Sequence, residues 1–189
     1  IPPGCEGLIT LPYWNAVQSP YWDSVARGAV VGWRGTHSRA HMYRSILESI
    51  GFEMRLNLDS IEKGTGVKLE GLRAMGGGTR SKLWRQIMSD CTGLPITVCL
   101  EDEISALGAA VLAMASTGVY GNNDVATAAG KMAHYGETIE PDMELHQRYQ
   151  EVASVQRKLY PRLQDIFEDL HNLSRKYPST RPESPAAEL

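Results

Sequence analysis

The sequence lacks several features that would each point to a particular class of protein. No apolar run approaches the roughly 20 residues that a membrane helix needs, so no membrane partner is predicted. The 19 lysine and arginine residues are scattered, and the net charge is -3, which argues against a nucleic-acid partner. The 3 cysteines have no metal-ligand spacing. They indicate reduced thiols in a cytoplasmic protein rather than a disulfide framework.

The two ends of the chain differ from its middle. The first residues are Ile-Pro-Pro-Gly, with neither an initiator methionine nor a charged and apolar leader, so no targeting segment is visible and a piece of a longer protein is expected. The last segment, PSTRPESPAAEL at 178–189, has no apolar side chains able to form a core. We predict that this tail is disordered.

Short β-branched runs alternate with longer helical patterns in between. Strands are predicted at 7–12, 28–33, 72–75 and 96–100. Helices are predicted at 38–62 and 104–117, and a further helix has an apolar face of Leu83, Trp84, Ile87, Met88 and Cys91. This alternation predicts an α/β fold in which at least some strands are parallel.

Two long helical stripes predict buried faces. In the helix at 38–62, apolar residues recur every three or four positions at Met42, Ile46, Ile50, Met54, Leu58 and Ile61. A second stripe extends from 142 to 177, where Pro161 is expected to kink or divide the helix.

Three consecutive glycines, Gly76, Gly77 and Gly78, lie between a predicted strand and a predicted helix. Glycine inside an element costs about 0.5–1 kcal/mol relative to alanine, so the triplet needs a compensating reason. A tight structural turn and a phosphate or nucleotide site at the helix start explain the pattern equally well. The segment matches neither the P-loop nor G-x-G-x-x-G, because Leu83 follows Lys82 and Ser81 takes the last glycine position.

The helix at 104–117 is rich in small residues, namely Ala106, Gly108, Ala109, Ala110 and Ala113. Such residues let a backbone lie close to a neighbouring element, and close packing is favoured over direct ligand contact. Together with the glycine triplet, this helix could still line one cleft.

Four side chains are candidates for metal binding or catalysis, namely Asp23, Asp90, His37 and His41. Asp23 is expected to hydrogen-bond backbone N–H groups of its loop, and Asp90 to be solvated or salt-bridged rather than a magnesium ligand. His37 and His41 have the i,i+4 spacing of a metal pair. Because no third ligand is evident, helix-start and packing roles are favoured for both.

Spaced blocks of the sequence together resemble the C-terminal half of the FGGY family of carbohydrate kinases. They are LPYWNAVQSPYWDSVARGAVVGW, THSRAHMYRSILESIGFEMR, LRAMGGGTRSKLWRQIMSDCTGLPI and EDEISALGAAVLA. The residues that look like the family's C-terminal signature are Gly28, Gly32, His41, Met42, Ser45, Ile46, Leu47 and Glu48, although Trp33 stands where an aliphatic residue is usual. The likeness extends from about residue 4 to residue 120.

The resemblance implies an actin-like ATPase (ribonuclease H-like) fold of two lobes. Residues 1–140 would form the nucleotide-binding C-terminal lobe, a mixed sheet flanked by helices, and 141–177 a helical extension. The expected cofactors are ATP and Mg²⁺, the metal being held mainly through the ATP phosphates. The expected partners are a missing N-terminal lobe and a sugar, a pentulose or related polyol, held mainly by that lobe.

The resemblance also implies the site residues. Gly76, Gly77 and Gly78 would lie beside the adenosine and neighbouring phosphates, with Ser81, Lys82 and Gln86 near the ribose or base. The family's catalytic aspartate lies before the matched region, so no catalytic residue is assigned and the isolated chain is expected to be inactive. Without its companion lobe it is also expected to expose apolar surface and to self-associate as a homo-oligomer.

One departure from the family pattern supports an alternative. Residues 16–20 read AVQSP, where many members carry a charged pair. The alternative is a non-catalytic actin-like module that binds nucleotide or a partner domain.

Overall fold

The computed structural model describes residues 1–101, 103–120 and 123–178. The strands are β1 (Ile9–Leu11), β2 (Ala29–Val31), β3 (Leu72–Ala74), β4 (Ile96–Cys99) and β5 (Tyr135–Ile139). The α-helices are α1 (Arg39–Thr65), α2 (Lys82–Thr92), α3 (Ile104–Ser116), α4 (Val125–Met132), α5 (Met143–Gln156) and α6 (Leu159–Lys176). The predicted α/β class is therefore confirmed. No helix in these ranges is both long and apolar enough to cross a membrane.

The strands form a two-stranded ribbon and a three-stranded mixed sheet. β1 and β2 pair antiparallel, with Thr10 opposite Val30. In the sheet, β4 lies between β3 and β5; it is parallel to β3 and antiparallel to β5. Helix α2 connects the two parallel strands, as a parallel pair requires.

Two elements, α4 and β5, were not predicted. β5 reads YGETI, and its exposed Tyr135, Glu137 and Thr138 leave no apolar run to detect. It lies at the edge of the sheet, where one face and one side meet solvent. Helix α4 has only 8 residues, and its clearest signal is the N-cap Asp124, which accepts a hydrogen bond from the Thr127 N–H at 2.9 Å.

Helix α1 buries a wider surface than the predicted stripe covers. Its buried apolar residues include Leu47 and Phe52, which pack with Ile87 and Cys91 of α2 and Tyr149 of α5. The residues of the predicted stripe differ in exposure: Leu58 is buried, Met42, Ile46, Ile50 and Met54 are half-buried, and Ile61 is exposed. The stripe is therefore confirmed in part, because α1 packs against α2, α5 and β1 rather than against one neighbour.

Helices α1 and α2 lie close together at Gly51. A Cβ atom placed there would lie 2.8 Å from both the Cβ and Sγ atoms of buried Cys91. We expect Gly51→Ala to lower the free energy of unfolding by about 1–2 kcal/mol, because overpacking exceeds the gain in helix propensity. Urea denaturation measures this change. Gly64→Ala in the same helix, where nothing lies within 4 Å, is the control and should not destabilise; equal effects at both sites would contradict the prediction.

The residues of the predicted C-terminal stripe belong to two helices, α5 and α6. Pro161 lies in the first turn of α6. That position suits proline, since N–H groups of a first turn have no intrahelical acceptor. Tyr160 and Phe167 of α6 pack into a cluster with Leu11 and Tyr13 near β1. The predicted disordered tail lies outside the described residues from 179 onward.

Candidate nucleotide-binding groove

The glycine triplet forms a tight turn between β3 and α2. Gly76 has φ +87° and ψ −179°, a conformation that side-chain-bearing residues rarely adopt. A 3₁₀ turn follows from Gly77 to Arg80, and the Thr79 N–H and hydroxyl both donate to the Gly76 carbonyl, at 3.1 and 2.7 Å. Backbone conformation thus explains the glycine at 76.

Packing within the chain does not explain the next two glycines. A Cβ atom at Gly76 or Gly77 would meet nothing within 4 Å, and one at Gly78 would only reach Trp84 Nε1 at 3.8 Å. Neither Gly77 nor Gly78 has a positive φ. A structural turn alone therefore accounts for one glycine of three, and the bare main chain of the other two faces open space.

That open space is a groove of about 440 Å³ between α1 and the start of α2. Its lining residues are Tyr43, Leu47, Gly77, Gly78, Arg80, Ser81 and Trp84. The volume lies within the range of about 300–1,000 Å³ typical of small-molecule sites. The groove is therefore formed by three parts of the chain: side chains of α1, the main chain of the glycine turn and the first residues of α2.

The start of α2 adds an electrostatic feature to this groove. Ser81 is the N-cap, and its hydroxyl oxygen accepts a hydrogen bond from the Trp84 N–H at 3.2 Å. The unpaired N–H groups and the dipole of a helix N-terminus favour an anion. Lys82, the first helical residue, is exposed beside the groove without lining it.

The structure separates the six predicted site residues. Gly77, Gly78 and Ser81 line the groove, while Gly76 and Lys82 flank it. Gln86 makes internal contacts instead: its amide nitrogen donates to Asp90 Oδ1 at 2.8 Å and to the Glu140 carbonyl at 3.1 Å.

Sequence reasoning missed Tyr43 as a groove residue, and it placed Leu47 and Trp84 only in other patterns. Leu47 appeared in the family signature and Trp84 on an apolar helix face. Tyr43 gave no local signal, because only the packing of α1 against α2 brings it beside the glycine turn.

A second cavity, of about 420 Å³, lies behind the glycine turn. Ile50, Met54 and Leu58 of α1 line it, which is where much of the predicted apolar stripe is found. Gly78 and Trp84 border both cavities, so Trp84 forms part of the wall between them.

The predictions for Asp23, His37 and His41 are confirmed. Asp23 Oδ1 accepts a hydrogen bond from the Val25 N–H at 2.8 Å. His41 Nδ1 accepts from the Ser38 N–H at 3.1 Å in a capping box, and the His37 and His41 rings lie 5.1 Å apart. Within the described ranges, no group of three His, Cys, Asp or Glu residues could bind a metal.

The prediction for Asp90 was wrong. Its side chain is buried and accepts hydrogen bonds from the Asp142 N–H and the Gln86 amide, both at 2.8 Å. It is buried rather than solvated, it forms no ion pair among the residues that the structure describes, and it connects α2 to the start of α5. Helical periodicity could not show this contact between residues 52 positions apart.

The small residues of α3 make no close approach within the described part of the chain. Ala106, Ala109 and Ala113 are exposed, and a Cβ atom at Gly108 would meet nothing within 4 Å. The buried residues of α3 are Val111 and Ala115, which pack against Ala128 of α4. The expected close packing is therefore not seen here.

The chain is similar in sequence and in fold to known proteins. A glycerol kinase of Nitratidesulfovibrio vulgaris is 36% identical over 156 residues, which are 82% of this chain and 31% of that protein. The structure of a xylulose kinase from Lactobacillus acidophilus matches with a TM-score of 0.77 and 26% identity, over 89% of this chain and 34% of that one. A glycerol kinase of Plasmodium falciparum, solved with ADP, matches with a TM-score of 0.68 and 27% identity, over 82% and 31%.

These likenesses confirm the predicted actin-like fold of sugar kinases. The chain spans about a third of the length of these relatives. The sequence profile of the FGGY family of carbohydrate kinases, C-terminal domain, matches residues 2–117. The chain therefore belongs to the FGGY family of carbohydrate kinases and carries its C-terminal domain.

Proposed function

We propose that this chain is the nucleotide-binding lobe of a kinase that transfers the γ-phosphate of ATP to a sugar or polyol hydroxyl. The observation that carries the proposal is the groove in which the main chain of Gly77 and Gly78 is open to a ligand. A relative of the same family was solved with ADP, which supports an adenine nucleotide as the occupant.

The groove suits a nucleotide better than the second cavity does. Bare main chain allows close approach, and the start of α2 favours negative charge. The second cavity is lined mainly by aliphatic and methionine side chains, which cannot replace the water that a phosphate would lose. Its two arginines already have partners, because Arg73 donates to the Tyr135 hydroxyl and Arg85 pairs with Glu137. We therefore retain Gly76, Gly77, Gly78, Ser81 and Lys82 as nucleotide-site residues, with Gln86 in a supporting position.

Phosphoryl transfer also requires a proton acceptor and a metal ion. Among the described residues that line the groove there is no carboxylate, so we assign the catalytic base to another part of the protein. Mg²⁺ would neutralise phosphate charge, and we propose that the ATP phosphates hold it, since Mg²⁺ needs only one or two carboxylates beside them.

The acceptor is proposed to be a small polyhydroxylated molecule. The relatives include glycerol kinases and a xylulose kinase, so glycerol and pentuloses are the first candidates. We further propose a cytoplasmic location, supported by Cys5, Cys91 and Cys99, which are all free and buried.

A kinase assay of the full-length gene product tests this function. With ATP and a panel of glycerol, xylulose and gluconate, we expect turnover with at least one acceptor, and none from the 189-residue chain alone. Turnover with any acceptor rejects the non-catalytic module. ATP binding by a folded full-length protein without turnover on a wide panel would instead favour that module.

A further inference from the structure

The groove beside the glycine turn has one fixed aromatic side chain and one free one. Trp84 is half-buried and packs against the core cluster that contains Leu47 and Ile87. Tyr43 is 64% exposed, and its hydroxyl has no hydrogen-bond partner among the residues that the structure describes. An exposed aromatic ring whose hydroxyl bonds to no described residue is available to a ligand.

The position of Tyr43 follows from its helix. Tyr43 and Leu47 are four residues apart on α1 and therefore lie on the same face, one turn apart. Leu47 is 6% exposed and belongs to the core, so it forms the inner part of the groove. Tyr43 lies at the rim, and the glycine main chain lies across from this face.

The chemistry of the lining favours a flat, largely apolar group in this part of the groove. Arg80 is the charged residue among those that line it. A nucleobase has two planar faces, and stacking on an aromatic side chain strengthens binding largely regardless of base identity. The triphosphate is better stabilised at the start of α2, where backbone N–H groups and the helix dipole favour an anion.

We infer that Tyr43 is the base-stacking residue of the nucleotide site, with the base held between its ring and the main chain of Gly77 and Gly78. This inference rests on the proposed function. It assigns to α1 a direct part in binding.

A substitution series at Tyr43 in the full-length protein tests the inference. Isothermal titration calorimetry with ATP should show a dissociation constant about tenfold higher for Tyr43→Ala. Tyr43→Phe and Tyr43→Trp keep an aromatic ring and should stay within about twofold of the wild type, with Tyr43→Leu in between. GTP, if it binds, should lose affinity by a similar factor. Tyr177→Ala, which removes a tyrosine that is 68% exposed on the far C-terminal segment, is the matched control and should have no effect.

The outcomes separate the inference from the proposed function. Unchanged ATP affinity in Tyr43→Ala, with loss in Gly77→Val, overturns the stacking role and leaves the nucleotide site in place. Equal losses of ATP affinity in Tyr43→Ala and Tyr43→Phe also overturn the stacking role, because the phenylalanine variant keeps the aromatic ring. If the folded wild-type protein binds no ATP, both proposals fail. Thermal unfolding of each variant shows whether a loss reflects misfolding.

Discussion

Replacing Gly77 with valine is expected to weaken ATP binding about thirtyfold, a change of about 2 kcal/mol. The valine side chain would extend into the groove from a position where nothing in the chain lies within 4 Å. The main chain could then no longer approach the nucleotide, although the protein itself would not be overpacked. Isothermal titration calorimetry on the full-length protein measures the effect, and Gly77→Ala should show a smaller loss.

Gly77 is a better test position than Gly76. The φ of +87° at Gly76 means that any side chain there strains the turn, so a loss of binding would have two explanations. Gly64→Val is the matched control: it also adds a β-branched side chain where nothing lies within 4 Å, but about 30 Å along α1 from Tyr43. If Gly77→Val binds ATP as tightly as the wild type, the glycine turn is not part of the nucleotide site.

Local patterns predicted the central elements of the fold well, because each carries its own signals. Helix α2 begins at the N-cap Ser81 and ends at Gly93 in the left-handed region, and both residues are visible in the sequence. Strands β3 and β4 are short apolar runs on either side of it. Edge strand β5 lacked such a run, and its place depends on pairing with β4, a contact made far along the chain.

The candidate site was predictable only in part, for a physical reason. The glycines stood out because three in a row are costly without a function, and three predicted residues do line the groove. Gln86 lies outside the groove lining, and its amide donates to Asp90 and to the Glu140 carbonyl. The place of Tyr43 in the groove could not be predicted from local sequence, because it depends on the tertiary packing of α1 beside the glycine turn.

Several residues of the segment that resembles the family signature have structural roles. His41 caps α1, and the Ser45 hydroxyl lies 2.7 Å from the Thr10 hydroxyl of β1. Leu47 belongs to the core, and Glu48 is 2% exposed. A buried carboxylate needs several hydrogen bonds, which makes Glu48 the most consequential of these residues for stability.

Glu48 joins three parts of the chain. Its carboxylate accepts hydrogen bonds from Arg44 Nε at 2.7 Å and the Tyr149 hydroxyl at 3.1 Å. It also accepts from the Gly4 N–H at 3.1 Å and the Cys5 thiol at 3.4 Å. Burial and the negative charge of Glu48 raise the pKa of Cys5 to about 12, so this thiol stays protonated and can donate. The N-terminal turn, α1 and α5 thus meet at one side chain.

Glu48→Ala is therefore expected to lower the free energy of unfolding by about 3 kcal/mol. The substitution removes the carboxylate that accepts hydrogen bonds from the Gly4 N–H and from Arg44 Nε. The Arg44 side chain is 17% exposed, so water can solvate part of its charge. The expected loss of stability is therefore at the low end of the range for a broken buried ion pair. Urea denaturation of the 189-residue chain measures the change. Glu48→Gln keeps the volume but not the charge, and should fall between the wild type and the alanine variant.

The chain offers a matched control for this result. Glu144 and Arg148 are also an Arg–Glu pair four residues apart on one helix, but their side chains are 76% and 61% exposed. An exposed pair of this kind contributes about 0.5 kcal/mol or less, so Glu144→Ala should change stability little. Similar losses for Glu48→Ala and Glu144→Ala would show that the pair matters only as a helix-surface contact. A large loss at Glu48 alone would show that one buried carboxylate holds the N-terminal turn and α5 against α1, the helix that carries Tyr43 and Leu47 to the groove.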